Sequence, residues 1–253
     1  MPTVAKLTPI AAIAISACAM LSGCTTTGTD ATAPSVQDQS ELIVLDGDRG
    51  EQMLREAGTT SDFVQLSAHF DTQDNLAYCG VASAAIAMNV LGETAPRSPS
   101  HGDYNLFTQA SFFTPEVEQG LREDKVRRAG MTLAQLGGAL KAHGADARVT
   151  HAEDTNIDGF RSAAKAALSD RDSVVLINYH RPTIGQPGPG HISPLGAYHA
   201  PTDRFLIMDV ATYRYPFVWV STAALFEGMS AVDGESQRSR GFIVVSSSGG
   251  GGQ

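Results

Sequence analysis

Thiols and basic surface are what this sequence has least of. Only three cysteines occur in 253 residues, at 18, 24 and 79, and no CxxC pair is among them, so neither a disulfide framework nor a cysteine-based zinc site is available. Eighteen Lys and Arg stand against 27 Asp and Glu, for a net charge of −9 and a pI near 5.2. A nucleic-acid partner would need a clustered basic face, and none is present. There is no glycine-rich phosphate loop, no internal repeat, and no apolar run of the ~18 residues that spanning a bilayer requires. What remains, at 42% hydrophobic and 18% charged, is enough for one well-buried globular domain with attached tails; two domains are compatible but not required.

The N-terminus reads as a processing segment. Lys6 supplies a positive start, and the apolar stretch from Leu7 to Met20 has the length of a signal h-region. Leu21-Ser22-Gly23-Cys24 resembles the bacterial lipoprotein lipobox, which implies lipidation of Cys24; an ordinary secretory signal with an incidental cysteine is the other reading. Thr25 rather than Asp after that cysteine implies sorting to the outer membrane, with the domain facing the periplasm on a lipid anchor. The expected organisation is a lipoprotein signal over 1–23, a flexible polar tether over 24–42, a catalytic domain over 43–247 and a serine- and glycine-rich tail over 248–253. Cys79 is then the one free thiol of the mature domain, a liability in an oxidising compartment unless it is buried or useful.

Periodicity predicts helices first and strands later. A helix is expected near Arg49 to Glu56, and the stretch after Cys79 is apolar on every side, as a central buried helix is. Thr132 with Gln135 forms a capping box ahead of Leu133, Leu136 and Leu140, with Gly144 as the stop; Thr155 with Asp158 is expected to start a further helix, ending near Asp170. Strands are expected at 173–179, 191–198, 204–210, 217–220 and 241–246. Segregation of that kind points to an α+β fold with an antiparallel sheet.

Cys79 would head the buried helix, where unpaired N–H groups and the helix dipole favour a thiolate; a small buried hydrophobe is the alternative. A nucleophilic thiol needs a base, and the base an orienting group. Of seven histidines, His191 stands apart, because it follows GQPGPG and opens the strand HISPLGAY. Asp209 closes the strand RFLIMD. With Tyr198 to Thr202 as the loop of a hairpin, His191 and Asp209 would face each other directly, Cβ atoms ~5 Å apart. Taken singly, each also reads as structural. Gln73 lies six residues before the cysteine, where a side-chain amide with the Cys79 N–H would make an oxyanion hole; a solvated loop glutamine is the other reading.

The text from Gln73 to Ser83 (QDNLAYCGVAS), with YNLFTQASFF, GMTLAQLG, HAEDTNIDGFR, INYHRPTIGQPGPGHISPLGAYH, DRFLIMDVATYRYPFVWV and SQRSRGFIVVS, resembles the phytochelatin synthase family in order and spacing over roughly residues 50 to 246. The resemblance implies a papain-like cysteine peptidase fold with a Cys79–His191–Asp209 triad and Gln73 in the oxyanion hole. It implies cleavage of the Cys–Gly bond of glutathione through a thioester, then transfer of γ-glutamylcysteine to water or to a second glutathione. Tyr78, Arg181 and Arg214 are implied substrate contacts.

Departures from the family favour hydrolysis. Thr212 stands three residues after Asp209 where members with synthase activity usually carry arginine, and Arg214 stands in place of a lysine. A guanidinium can pair bidentately with a substrate carboxylate and threonine cannot. The cysteine-rich C-terminal region of plant members is absent from this sequence. No tightly bound cofactor and no protein metal site are expected: His180, His191, His199 and Asp209 fit no familiar ligand spacing, and cadmium or zinc would act through the glutathione thiolate. Expected partners are glutathione, metal–glutathione or S-conjugates, and the membrane through lipid, with a homodimer left open. The rival readings are a papain-like peptidase on other small peptides and a non-catalytic metal- or thiol-binding lipoprotein.

Overall fold

Among the described residues a seven-stranded antiparallel sheet organises the fold, in the spatial order β1-β6-β5-β4-β3-β7-β2. The structure is a computed structural model that describes Met1 and residues 42–58, 60–98 and 100–248. The signal segment, nearly all of the tether with Cys24, and the last residues of the tail lie outside the described residues. Among the described residues, no helix is long and apolar enough to cross a membrane.

The elements, in chain order, are β1 Ile43–Val44, α1 Asp48–Glu56, α2 Ser61–Ala68, α3 Cys79–Val90, α4 Pro115–Glu118, α5 Glu123–Ala129, α6 Leu133–Ala142, β2 Asp146–His151, α7 Ile157–Leu168, β3 Ser173–His180, β4 Gly190–His199, β5 Arg204–Ile207, β6 Val218–Ser221, α8 Thr222–Ser230 and β7 Gly241–Ser246. The α+β expectation holds, but helices and strands are less segregated than the periodicity suggested. Strand β2 precedes α7, and α8 follows β6. β2 (DARVTH) is polar and edge-placed, pairing only with β7, so it lacks the apolar run that announces a buried strand. The α6 capping box is present as read, whereas α7 is capped by Asn156, whose side chain accepts from the Gly159 N–H at 2.9 Å, and not by Thr155.

Alternation along the strands sends side chains into two cores. Val174, Leu176, Leu206, Trp219, Ile243 and Val245 pack with α3 and α6, while Val175, Ile177, Phe205, Ile207, Val220 and Phe242 pack with α7 and α8. Helix α3 is buried from Gly80 through Met88, which explains a sequence with no polar stripe. Its small residues let it come close to the sheet. A Cβ at Gly80 would lie 2.8 Å from Met131 Sδ and 3.3 Å from Ile192 Cδ1, and Ser83 Oγ donates to the Ile192 carbonyl at 3.2 Å. These two contacts dock the first turn of α3 onto the start of β4. Cys79 is thereby set beside His191.

The β4–β5 hairpin differs from the expected register. Leu195 pairs with Ile207, but Ala197 pairs with Leu206, Tyr198 with Phe205 and His199 with Arg204, so Gly196 is an extra residue, a bulge. Proline at 194 is tolerated next to it because its carbonyl still accepts from the Met208 N–H, at 3.0 Å. β5 ends at Ile207, and Asp209 lies beyond the ladder. The ladder partner of His191 is Tyr179 on β3, not Asp209.

Candidate functional site

Cys79 is the first residue of α3 and is partly exposed at the end of a cleft of about 670 Å³. Tyr78, the N-cap residue, offers no side-chain cap, so the first-turn N–H groups remain available. Burial pushes the thiol pKa up, but a hydrogen bond to His191, its charge, and the Ile192 and Gly80 backbone N–H groups outweigh it and leave it below the ordinary thiol value. For His191 the order is similar. Burial pushes the imidazolium down; Asp209 and Cys79 raise it, and the net shift is upward. Opposed shifts of this kind favour a thiolate–imidazolium pair.

The second ring nitrogen of His191, Nε2, lies 2.8 Å from Asp209 Oδ1, although off the line of a straight hydrogen bond. The Tyr179 ring stands edge-on to the imidazole at a centroid distance of 5.8 Å and forms its wall. Asp209 is fully buried and surrounded by donors: Arg181 Nη1 to Oδ2 at 2.7 Å, Arg181 Nη2 to Oδ1 at 2.9 Å, the Ala211 N–H to Oδ1 at 2.9 Å and Tyr179 Oη to Oδ2 at 3.5 Å. Burial raises its pKa, but His191 and Arg181 overcome that and hold the carboxyl well below the usual range. The structure thus brings Cys79, His191 and Asp209 together.

Gln73 is buried on the loop before α3. Its backbone N–H donates to the Val210 carbonyl at 2.9 Å, and its Nε2 donates to the Asn75 carbonyl at 2.6 Å, while its Oε1 has no partner. A side-chain amide carries two N–H groups, so one is left for an oxyanion. Gln109, from YNLFTQASFF, holds both flanks of this residue: its Oε1 accepts from the Asp74 N–H at 2.9 Å, and its Nε2 donates to the Thr72 carbonyl at 2.8 Å and to Asp71 Oδ2 at 3.1 Å. That clamp was not read from the sequence. The available signal was a glutamine inside an apolar segment, which a core accepts only if its amide is satisfied.

Tyr78, Arg181 and Arg214 are each engaged with other side chains of the protein. Tyr78 is buried, with Oη donating to Glu123 Oε1 at 3.0 Å and Arg127 over its ring at 5.5 Å; burial and Glu123 push the phenol up to about 12. It does not line the cleft. Arg181 is also buried, turned to Asp209 and away from the cleft, and stacks on Tyr215 at 4.3 Å. Arg214 is exposed over Tyr215 at 5.1 Å. None of the three is among the residues that line this cleft.

The cleft offers other polar groups. Arg240 lies across Gly190, so closely that a Cβ there would be 2.7 Å from Arg240 Nε. Its Nη1 donates to the Val232 carbonyl at 2.9 Å, its Nε is buried without a partner, and Asp233 stands 3.8 Å away. Asp233 and Glu235 share the same wall. Sequence reasoning passed over Arg240, since a single arginine at a strand entrance has no distinguishing pattern. Among the described residues, no group of three or more His, Cys, Asp or Glu could hold a metal ion.

A thiol at a helix N-terminus, beside an imidazole backed by a buried carboxylate, is the arrangement that cysteine-nucleophile acyl transfer requires. Residues 35–242 match the family model described as phytochelatin synthase, and the chain belongs to that family. It is similar to glutathione gamma-glutamylcysteinyltransferase 1 of Triticum aestivum (35% identical over 202 residues) and of Lotus japonicus (34% over 201 residues); each match covers 78% of this chain and 39% of the relative. The glutathione gamma-glutamylcysteinyltransferase of Schizosaccharomyces pombe is 24% identical over 208 residues, covering 81% of this chain and 49% of the relative. The chain therefore spans less than half the length of these relatives.

Proposed function

We propose that the chain is a papain-like thiol enzyme that cleaves the Cys–Gly peptide bond of glutathione through a thioester on Cys79. The Cys79 thiolate attacks the carbonyl carbon, and the oxyanion is received by the Cys79 N–H and the Gln73 amide. The His191 imidazolium gives its proton to the leaving glycine amine as the C–N bond breaks. Neutral His191 then takes a proton from water, whose oxygen displaces the thiolate to give γ-glutamylcysteine. An acceptor glutathione amine in place of water yields phytochelatin. Asp209 orients the ring throughout and stabilises its charged form.

One observation carries this reading: the Cys79 thiol and the His191 imidazole line the same open cleft, and His191 Nε2 lies 2.8 Å from buried Asp209. The cleft also suits the zwitterionic glutamyl head, with Arg240 for its carboxylate and Asp233 or Glu235 for its amine. The names of the relatives point to the same substrate. Thr212, whose hydroxyl meets that of Thr72, offers an acceptor carboxylate no charge, which favours hydrolysis over chain extension. Metal would enter as metal–glutathione, and Cys24 would anchor the protein to the outer membrane, facing the periplasm. The test is mass spectrometry of glutathione incubated with enzyme, with and without cadmium. Glycine, γ-glutamylcysteine and an acyl adduct on Cys79 are expected; longer thiol peptides as the main product would overturn the preference for hydrolysis, and no adduct would overturn the mechanism.

A further inference from the structure

The proposed triad has a fourth member placed behind it. We propose that Arg181 is a positioning residue of the thiol site: its two-pronged pairing with Asp209 keeps that carboxylate ionised and aimed at His191 whether or not the imidazole carries a proton. This rests on the reading of Cys79 as nucleophile and His191 as base.

The geometry closes the alternative of substrate contact. Arg181 and Asp209 side chains are 4% and 0% exposed, and both guanidinium prongs are spent on the carboxylate. Nη1 also reaches Gln186 Oε1 and, at 3.4 Å, Tyr179 Oη. The Tyr215 ring covers the guanidinium from the other side. Asp209 lies off the β4–β5 ladder, so no strand pairing holds it opposite His191. Backbone bonds on either side, from the Met208 N–H to the Pro194 carbonyl and from the Gln73 N–H to the Val210 carbonyl, keep the chain beside β4, and the Arg181 fork with the Ala211 N–H fixes the carboxylate itself.

Charge balance gives the pairing its mechanistic use. The charged groups facing one another here are Cys79, His191, Asp209 and Arg181, with Arg214 at the edge; the buried Tyr179 and the exposed Tyr213 also face them, and both phenols are shifted upward, Tyr179 strongly by its burial. Across Gly190 lies Arg240. With thiol and imidazole neutral, Asp209 and Arg181 cancel. With the thiolate and imidazolium formed, all four sum to zero. When His191 surrenders its proton to the leaving amine, Asp209 would be an isolated buried anion but for Arg181, and such an anion recaptures a proton. Arg181 thus uncouples the ionisation of Asp209 from the proton that His191 moves.

The test is the pH dependence of Cys79 alkylation by iodoacetamide in the full chain, read at the Cys79 peptide by mass spectrometry, alongside glycine release. Removing the positive charge makes the thiolate harder to form, so Arg181→Met should move the acid limb of alkylation upward by about one pH unit. Adding Asp209→Asn to Arg181→Met should move the limb no further, because a carboxylate that has recaptured a proton is already neutral. Arg181→Lys keeps the charge but not the fork; its limb should stay in place while glycine release falls several-fold. A purely structural pair would lower the folded fraction without moving the limb. An Arg181→Met limb coincident with wild type would overturn the proposal. Should that variant not fold, Arg181→Lys decides, and wild-type turnover there would overturn it. Failure of the underlying reading looks different: wild-type Cys79 would alkylate at neutral pH no faster than the thiol of free glutathione.

Discussion

Asp209 reaches His191 from outside the strand ladder: β5 ends at Ile207, a bulge at Gly196 shifts the pairing by one residue, and the carboxylate still comes within 2.8 Å of Nε2. Backbone bonds at Met208 and Val210 hold the segment in place, and the aim of the carboxylate depends on the groups bonded to it, Arg181 first. Asp209→Asn leaves the Arg181 guanidinium buried without its anion. It is expected to destabilise the fold by ~3–5 kcal/mol and to cut glycine release by ~10⁴-fold, the cost of a wrongly held imidazole. Thermal unfolding and steady-state kinetics together check this, and an unchanged melting temperature would contradict the burial argument.

The Cys79 pKa is lowered and that of His191 is raised. Both shifts act toward a thiolate–imidazolium pair, which is lost as pH falls through the Cys79 value and lost again as pH rises through the His191 value. A bell-shaped kcat/KM is expected, with its acid limb below the ordinary thiol value. Cys79→Ser should abolish turnover at every pH. A single rising limb near that of an unperturbed thiol would argue against the pair.

Gln109 is predicted to act through Gln73. Gln73→Ala should lower kcat ~10²–10³-fold by removing an oxyanion donor. Gln109→Leu frees the Asp71–Asp74 loop and strands the Asp74 N–H and Thr72 carbonyl, so a loss of ~2 kcal/mol of stability and a fall in kcat are expected. The double variant should be little slower than Gln73→Ala alone. Fully additive rate losses would mean that Gln109 serves the fold and not the amide.

Gly190→Ala puts a methyl group where the Arg240 guanidinium lies. The arginine is flexible and must move, which costs the fold little but displaces the group proposed for the glutamyl carboxylate. KM for glutathione is expected to rise ~10-fold with kcat nearly kept. A pure kcat effect would place Arg240 outside substrate binding.

The amino-acid order alone determined the elements whose cause is local. The uniformly apolar stretch after Cys79 is a buried helix, Thr132 and Gln135 cap α6, and the chain divides into helices and an antiparallel sheet, because periodicity and capping act over one or two turns. Cys79, His191 and Asp209 were also legible, since a lone thiol at a helix start and polar residues at strand ends break the surrounding pattern, and Gln73 drew notice by lying six residues before the cysteine. Their meeting was decided only by the tertiary structure. Gly80 and Ser83 press α3 onto β4, the bulge at Gly196 withdraws Asp209 from the ladder, and Arg181, expected at the substrate, lies behind the carboxylate. Contacts between residues far apart in the chain depend on close packing and on where buried charges find partners, and neither leaves a period in the sequence.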